Sequence, residues 1–146
     1  MKIFDEILEG FVLPYRFQND IREEDLLFFD IETTGFTARS SNLYLIGCAY
    51  KDGENWHIKQ FFAENTSEEA EIIHAFFELA NGYKHLVHFN GNQFDLPYVT
   101  QKCEQLSMPY SFEAFSGIDI YKRILPYKYF LKLPNCKQKT IEHFLG

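Results

Sequence analysis

No run of apolar residues in this sequence approaches the roughly 18 to 20 that a helix needs to cross a bilayer, and the opening MKIFDEILEGFVLPYRF carries acids where a secretory signal would be basic and then apolar. A soluble, cytoplasmic protein without membrane contact is expected. Cysteine is also scarce: Cys48, Cys103 and Cys136 stand far apart without a CxxC pair, which argues against a zinc cluster or a disulfide framework and leaves reduced, buried thiols. Positive charge is in deficit, with 14 Lys and Arg against 21 Asp and Glu and a formal net charge of -7. That argues against capture of a nucleic acid through bulk positive field alone, and such a partner would need local charge or bound metal. Local positive charge exists in residues 121–146, where Lys122, Arg123, Lys128, Lys132, Lys137 and Lys139 face the single acid Glu142. A phosphate-facing surface and an ordinary solvated face account for that stretch equally well.

What the chain has in abundance is apolar surface. Its 146 residues are 46% hydrophobic, with 16 Phe and 9 Tyr, enough for one domain with a sizeable core. It contains no repeat, low-complexity tract or linker. Residues 1–25 include a short amphipathic stretch, Ile3, Phe4, Ile7 and Leu8, and read as an N-terminal packing arm, which leaves 26–146 as the domain proper. LLFFDI at 26–31 is a short apolar run ending in polar TTG, as expected of a central strand buried on both faces. Residues 42–50 and 56–62 flank the turn signal KDGEN and predict an antiparallel hairpin.

Thr66 followed by Glu69 has the form of a capping box, and apolar residues from Ile72 to Ala80 recur at helical spacing up to Gly82. HLVHFN at 85–90 predicts another strand. Its GNQ turn leads into a second helix starting near Asp95, where Pro97 is tolerable only in the first turn. Residues 115–124 read as a strand or extended segment, and 137–146 as a helix closing on glycine. Antiparallel strands first, then alternating helices and strands, predict an α/β fold with a mixed sheet and helices on its faces; ligands on such sheets sit at strand ends.

The chemistry concentrates at two places. In FFDIETTGF, Asp30 and Glu32 are two apart on a strand, so both carboxylates point to one face and Ile31 to the other. At about 6 Å and an effective dielectric near 20, two such charges repel by roughly 2 to 3 kcal/mol, and a divalent cation would reverse the sign. Carboxylates with water and substrate phosphate suit Mg²⁺ or Mn²⁺ better than zinc. Against this stands the plain reading of a strand that ends in solvent with two surface acids. The second place, HFNGNQFDLPYV, delivers Asp95 where a parallel neighbour of the central strand would bring its own C-terminal end. An aspartate at a helix start is also an ordinary N-cap worth about 1 kcal/mol, and for Asp95 alone that reading is the stronger.

Taken together, DIETTG resembles the first motif, D-x-E-T-x-G, and NGNQFD the second, N-x-x-x-F-D, of the DEDD 3′-5′ exonucleases. Four fixed positions would arise by chance in roughly one chain in a thousand of this length. The wording around the motifs, with YLIGCAY between them and KTIEHFLG after them, is similar to the YprB-like ribonuclease-H-like domain group over residues 26–146. The resemblance implies a ribonuclease-H-like mixed sheet. It also implies that Asp30, Glu32 and Asp95 bind two divalent ions, Mg²⁺ or Mn²⁺, and that Asn90 touches the substrate near its 3′ end. The Thr33, Thr34 and Gly35 backbone would lie against the terminal nucleotide of a single-stranded nucleic acid or a 3′ end. Two-metal hydrolysis would then release nucleoside 5′-monophosphates. Phe36, Tyr44 or Phe94 could stack on an unpaired base, although core packing is the commoner role for an aromatic.

The pattern departs from the family in one respect. A fourth carboxylate, an Asp on a late helix preceded by a Tyr or His, has no counterpart before Gly146, so a truncated and weakly active fragment is expected. Asp119 in SGIDIY is the substitute the sequence offers, with a structural or substrate-contact role the stronger reading. His85 and His88 read as core histidines and His143 as a surface helix residue. Two rivals stay open: a non-catalytic nucleic-acid or protein-binding module on the same fold, and an endonuclease of ribonuclease H or transposase type.

Overall fold

The computed structural model describes residues 1–14, 16–17, 20–125, 135 and 137–145. Six strands form one sheet in the order β1–β4–β3–β2–β5–β6. They are β1 (Lys2–Leu8), β2 (Leu26–Thr33), β3 (Leu43–Asp52), β4 (Asn55–Phe62), β5 (His85–His88) and β6 (Ser116–Asp119). β1, β4, β3 and β2 pair antiparallel, whereas β2, β5 and β6 run parallel. This is the mixed sheet the pattern predicts. The helices are α1 (Glu69–Ala80), α2 (Asp95–Gln105), α3 (Ile120–Ile124) and α4 (Gln138–Leu145).

The first residues of the N-terminal packing arm form a strand: Lys2 pairs with Phe62 and Leu8 with Trp56, so the amphipathic stretch packs as the outer strand of the sheet beside β4. The hairpin of β3 and β4 turns at Gly53, whose φ of +62° is the left-handed conformation that a tight Asp-Gly turn requires. The capping signal before α1 sits one residue earlier than Thr66 and Glu69 suggest. Asn65 Oδ1 accepts the Ser67 N–H at 3.1 Å while Glu68 Oε2 accepts the Glu64 N–H at 2.8 Å. Asn outcompetes Thr as a cap, and the reciprocal carboxylate moves with it. Residues 115–124 divide into β6 and the short helix α3, because Asp119 caps the latter through Tyr121 N–H at 3.0 Å.

One face of the sheet carries the main core. Phe29, Ile31, Ile46, Cys48, Tyr50 and Phe61 pack there against Ile72, Ile73 and Phe76 of α1 and Tyr98, Val99 and Cys103 of α2. At roughly 1.5 to 3 kcal/mol for each large apolar side chain fully buried, this cluster supplies most of the driving force for folding. A smaller cluster on the opposite face joins Leu26, Val87 and Ile118 to Leu13, Ile21, Phe28 and Ile120. Cys48 and Cys103 are free and buried, while Cys136, Lys128, Lys132 and Gly146 lie outside the described residues. Among the described residues no helix is long and apolar enough to cross a membrane.

Candidate active site

Strand alternation sets the first two acids. Phe29 and Ile31 enter the main core, and Asp30 and Glu32 stay exposed on the other face of β2. Asp30 lies opposite Gly47, which leaves room beside its carboxylate, and the β2–β3 register slips between Glu32 and Thr33. Although Asp30 keeps contact with solvent, its crowded strand tip raises its carboxyl pKa, and the Glu32 charge raises it further. Glu142 on α4 adds a smaller push in the same direction.

Residues 33–42 fold into a self-bonded loop. Thr33 Oγ1 donates to the Gly35 carbonyl at 2.8 Å, Thr34 N–H donates to Asn42 O at 2.9 Å, and Asn42 N–H returns to Thr34 Oγ1 at 2.9 Å. Both threonine hydroxyls are therefore occupied in shaping the loop. A Cβ on Gly35 would sit a tight 3.1 Å from Ser41 Cβ, so any larger residue there would require Ser41 to give way by a few tenths of an ångström. Ser41 Oγ donates to the Thr37 carbonyl at 2.8 Å, so the 2.7 Å contact with Tyr98 is one in which the phenol donates. Lys102 Nζ donates to Ser41 O at 2.5 Å and pairs with Glu69 at 3.0 Å in a buried bridge. Tyr98 and Lys102 both belong to α2, so the loop after β2 is fastened to the helix that carries the third acid.

Asp95 is the first residue of α2, not its N-cap. Phe94 occupies the cap position with φ -132° and ψ -66° and makes no capping bond. With the capping explanation removed, the Asp95 carboxylate is buried, 6% exposed, with no hydrogen bond to offset its desolvation among the described residues. Burial pushes its pKa up to about 7, and the charges of Asp30, Glu32 and Asp119 reinforce the shift. The charges of Asp30 and Glu32 are felt at Asp95, so the three carboxylates lie within electrostatic range of one another. The two loops touch through the Phe94 ring, which meets Phe36 edge-on at 6.3 Å and lies tilted against Tyr98 of α2 at 5.4 Å. Phe36 is otherwise 92% exposed. Tyr44, by contrast, packs edge-on against Phe62 at 6.4 Å.

A network that the sequence reading did not assemble supports the second loop. Asn90, in left-handed conformation at φ 55°, donates its backbone N–H to Asp119 Oδ1 at 2.8 Å. Gly91 N–H donates to His88 Nδ1 at 3.0 Å, which puts the proton of that neutral ring on Nε2, and burial lowers the pKa of His88. A Cβ on Gly91 would lie 2.7 Å from the His88 ring, so only glycine fits. Asp119 is thus 8% exposed and spent on two backbone donors at a strand end, with Oδ2 and His88 Nε2 left as buried atoms without a partner among the described residues. Asn-Gly just after a strand was the signal for this turn. His85 is half-buried and its Nδ1 also lacks a partner among the described residues.

Carboxylates that raise one another's pKa around a buried member make an anionic region whose charge a hard cation would offset, and the donors are all oxygen. Among the described residues no three acidic, His or Cys side chains are spaced to ligate an ion together. The donor chemistry of Asp30, Glu32 and Asp95 suits a hard divalent ion, but as the side chains stand they do not form a ready ligating cluster. The described cations of residues 121–146 include Lys122, Arg123, Lys137 and Lys139, all exposed; Arg123 lies over the Phe17 ring at 5.8 Å.

A family model described as the RNase_H superfamily matches residues 27–146. Among solved structures, the family B DNA polymerase from the hyperthermophilic archaeon Pyrobaculum calidifontis aligns with a TM-score of 0.60 at 19% identity, over 70% of this chain and 16% of that one. The zinc-ion-bound form of the E. coli ExoI–ssDNA complex aligns with a TM-score of 0.57 at 16% identity, over 77% of this chain and 33% of that one. The chain spans well under two thirds of either of these structures, and at such identities the likeness is one of fold. No curated protein matches the sequence.

Proposed function

The chain belongs to the RNase_H superfamily, and from that premise we propose that it is a metal-dependent 3′-5′ exonuclease-type phosphodiesterase acting on single-stranded nucleic acid or a 3′ end. The observation that supports the reading is Asp95, a buried carboxyl within electrostatic range of Asp30 and Glu32 and held up to about 7 by burial and by their charge. An acid so placed is costly to the fold without a counter-ion and useful with one. The polymerase and the ExoI–ssDNA complex, which share the fold, support a nucleic-acid substrate and, for ExoI, a single strand and divalent metal.

In this reading Asp30, Glu32 and Asp95 hold Mg²⁺ or Mn²⁺. When bound, two such ions supply the Lewis acidity that activates water and stabilises the leaving 3′ oxygen. The loop of Thr33, Thr34 and Gly35, braced by Tyr98 and Lys102, forms a rigid backbone surface for the terminal nucleotide. Asn90 presents its side-chain amide from a turn whose backbone is already satisfied by Asp119. Phe36, exposed and steadied by Phe94, offers a stacking face for an unpaired base. The protein's net charge of -7 would be no obstacle, since bound cations would offset the acids where the phosphate approaches.

The test is a pair of substrates in Mn²⁺: a 5′-labelled linear single strand and a covalently closed single-stranded circle. The proposal expects mononucleotide release from the linear strand, loss of that release in Asp95→Asn, and an intact circle. Cutting of the circle would make it an endonuclease. Metal-dependent binding of the strand with no release would make it a binding module.

A further inference from the structure

The apolar residues of β1 are poorly covered. β1 is the outer strand of the sheet, hydrogen-bonded to β4 along one edge. Ile3, Phe4 and Ile7 are 53%, 53% and 52% exposed. A free strand edge presents a row of unpaired N–H and C=O groups, and natural sheets keep such edges short, bulged or covered. Among the described residues no strand pairs with the other edge of β1, which runs for 7 residues with apolar side chains on both of its faces.

We propose that β1 is a self-association edge, on which β1 of a second copy of this chain pairs antiparallel and extends the sheet across a two-fold axis. The register follows from charge. A two-fold axis perpendicular to the sheet keeps each face continuous, so even positions meet even positions and odd meet odd. With the axis at Phe4, each Lys2 stands opposite Glu6 of the second copy and the two Phe4 rings meet. Ile3 lies diagonal to Ile3 and Ile7 of the second copy, within side-chain reach. Moving the axis to Asp5 sets two aspartates face to face and puts Phe4 against Glu6. Moving it to Ile3 puts Lys2 against Phe4 and leaves the far end of the strand unpaired. Lys2 already holds Glu64 at 2.7 Å but its side chain stays 58% exposed, with room for a second carboxylate. A strand pair with its flanking side chains falls at or below the small end of the roughly 1,200 to 2,000 Å² of stable interfaces, so the association is weak and concentration-dependent.

The experiment is sedimentation velocity on the full chain over a wide concentration series, with thermal melting to confirm that each variant folds. Wild type should shift from monomer to dimer as concentration rises. Glu6→Lys, at an exposed position with no ion pair among the described residues, turns two attractions into two repulsions and should weaken the dimer roughly tenfold. Adding Lys2→Glu should restore it. Phe4→Lys should weaken the dimer independently of those charges. A monomer at every concentration, a dimer indifferent to Glu6→Lys and Phe4→Lys, or a double variant that fails to recover would each overturn the proposal.

Discussion

Asp119 Oδ1 accepts the backbone N–H of Asn90 at 2.8 Å, joining residues 29 apart in sequence, and accepts Tyr121 N–H at 3.0 Å as well. Asparagine can keep both bonds through its own carbonyl, whereas alanine keeps neither. Asp119→Ala should therefore cost about 2 to 3 kcal/mol of stability in urea denaturation, and Asp119→Asn less than half of that. Equal losses for the two would show that the bonds do not hold the turn.

The pH dependence of the metal-free chain follows from Asp95. Its folded-state pKa of about 7 lies above the ordinary 3.8, so the folded state binds the proton more tightly than the unfolded chain. The stability this provides is complete below about pH 4 and is lost as pH rises through 7. Asp95→Asn should flatten that decline. At pH 8 in chelator it should stabilise the protein by roughly 1 to 3 kcal/mol, a range discounted for partial solvent access. Melting curves from pH 5 to pH 8 measure it; a variant that melts lower than wild type at pH 8 would contradict the account.

Tyr98 donates to Ser41 across 57 residues of sequence and fastens the loop after β2. Tyr98→Phe should keep the fold, cost about 1 kcal/mol, and speed amide hydrogen exchange at Thr34 and Asn42 more than in α1. A uniform rise in exchange would mean that the bond serves the core rather than the loop.

Phe36 is 92% exposed, so Phe36→Ala should leave stability within about 0.5 kcal/mol of wild type. Loss of one base-stacking face should still weaken binding of a single-stranded oligonucleotide by about 1 to 3 kcal/mol, read by fluorescence anisotropy. Unchanged affinity would remove Phe36 from the substrate surface.

Much of this was legible in the residues themselves. The apolar run of β2, the Asp-Gly hairpin and the 3.6-residue spacing of α1 are local signals, and each element stands where its signal lies. The placing of Asp30 and Glu32 on one face follows from strand alternation alone. What escaped depends on non-local geometry. β1 is a strand because β4 offers a partner for Lys2 through Leu8, which no pattern within eight residues reveals. The Asp119 network rests on Asn90 entering a left-handed turn at the end of β5. The burial of Asp95 was beyond local pattern too: Asp at a helix start usually caps, and only the fold shows Phe94 in the cap position.

The account stands or falls on whether Asp30, Glu32 and Asp95 together hold a divalent ion, and calorimetric titration of Mn²⁺ at pH 8 asks this directly. Wild type should bind with proton release that grows as pH is lowered toward 7, while Asp30→Asn and Asp95→Asn should each lose most of the binding. Mn²⁺ binding of equal strength in wild type and both variants would contradict it.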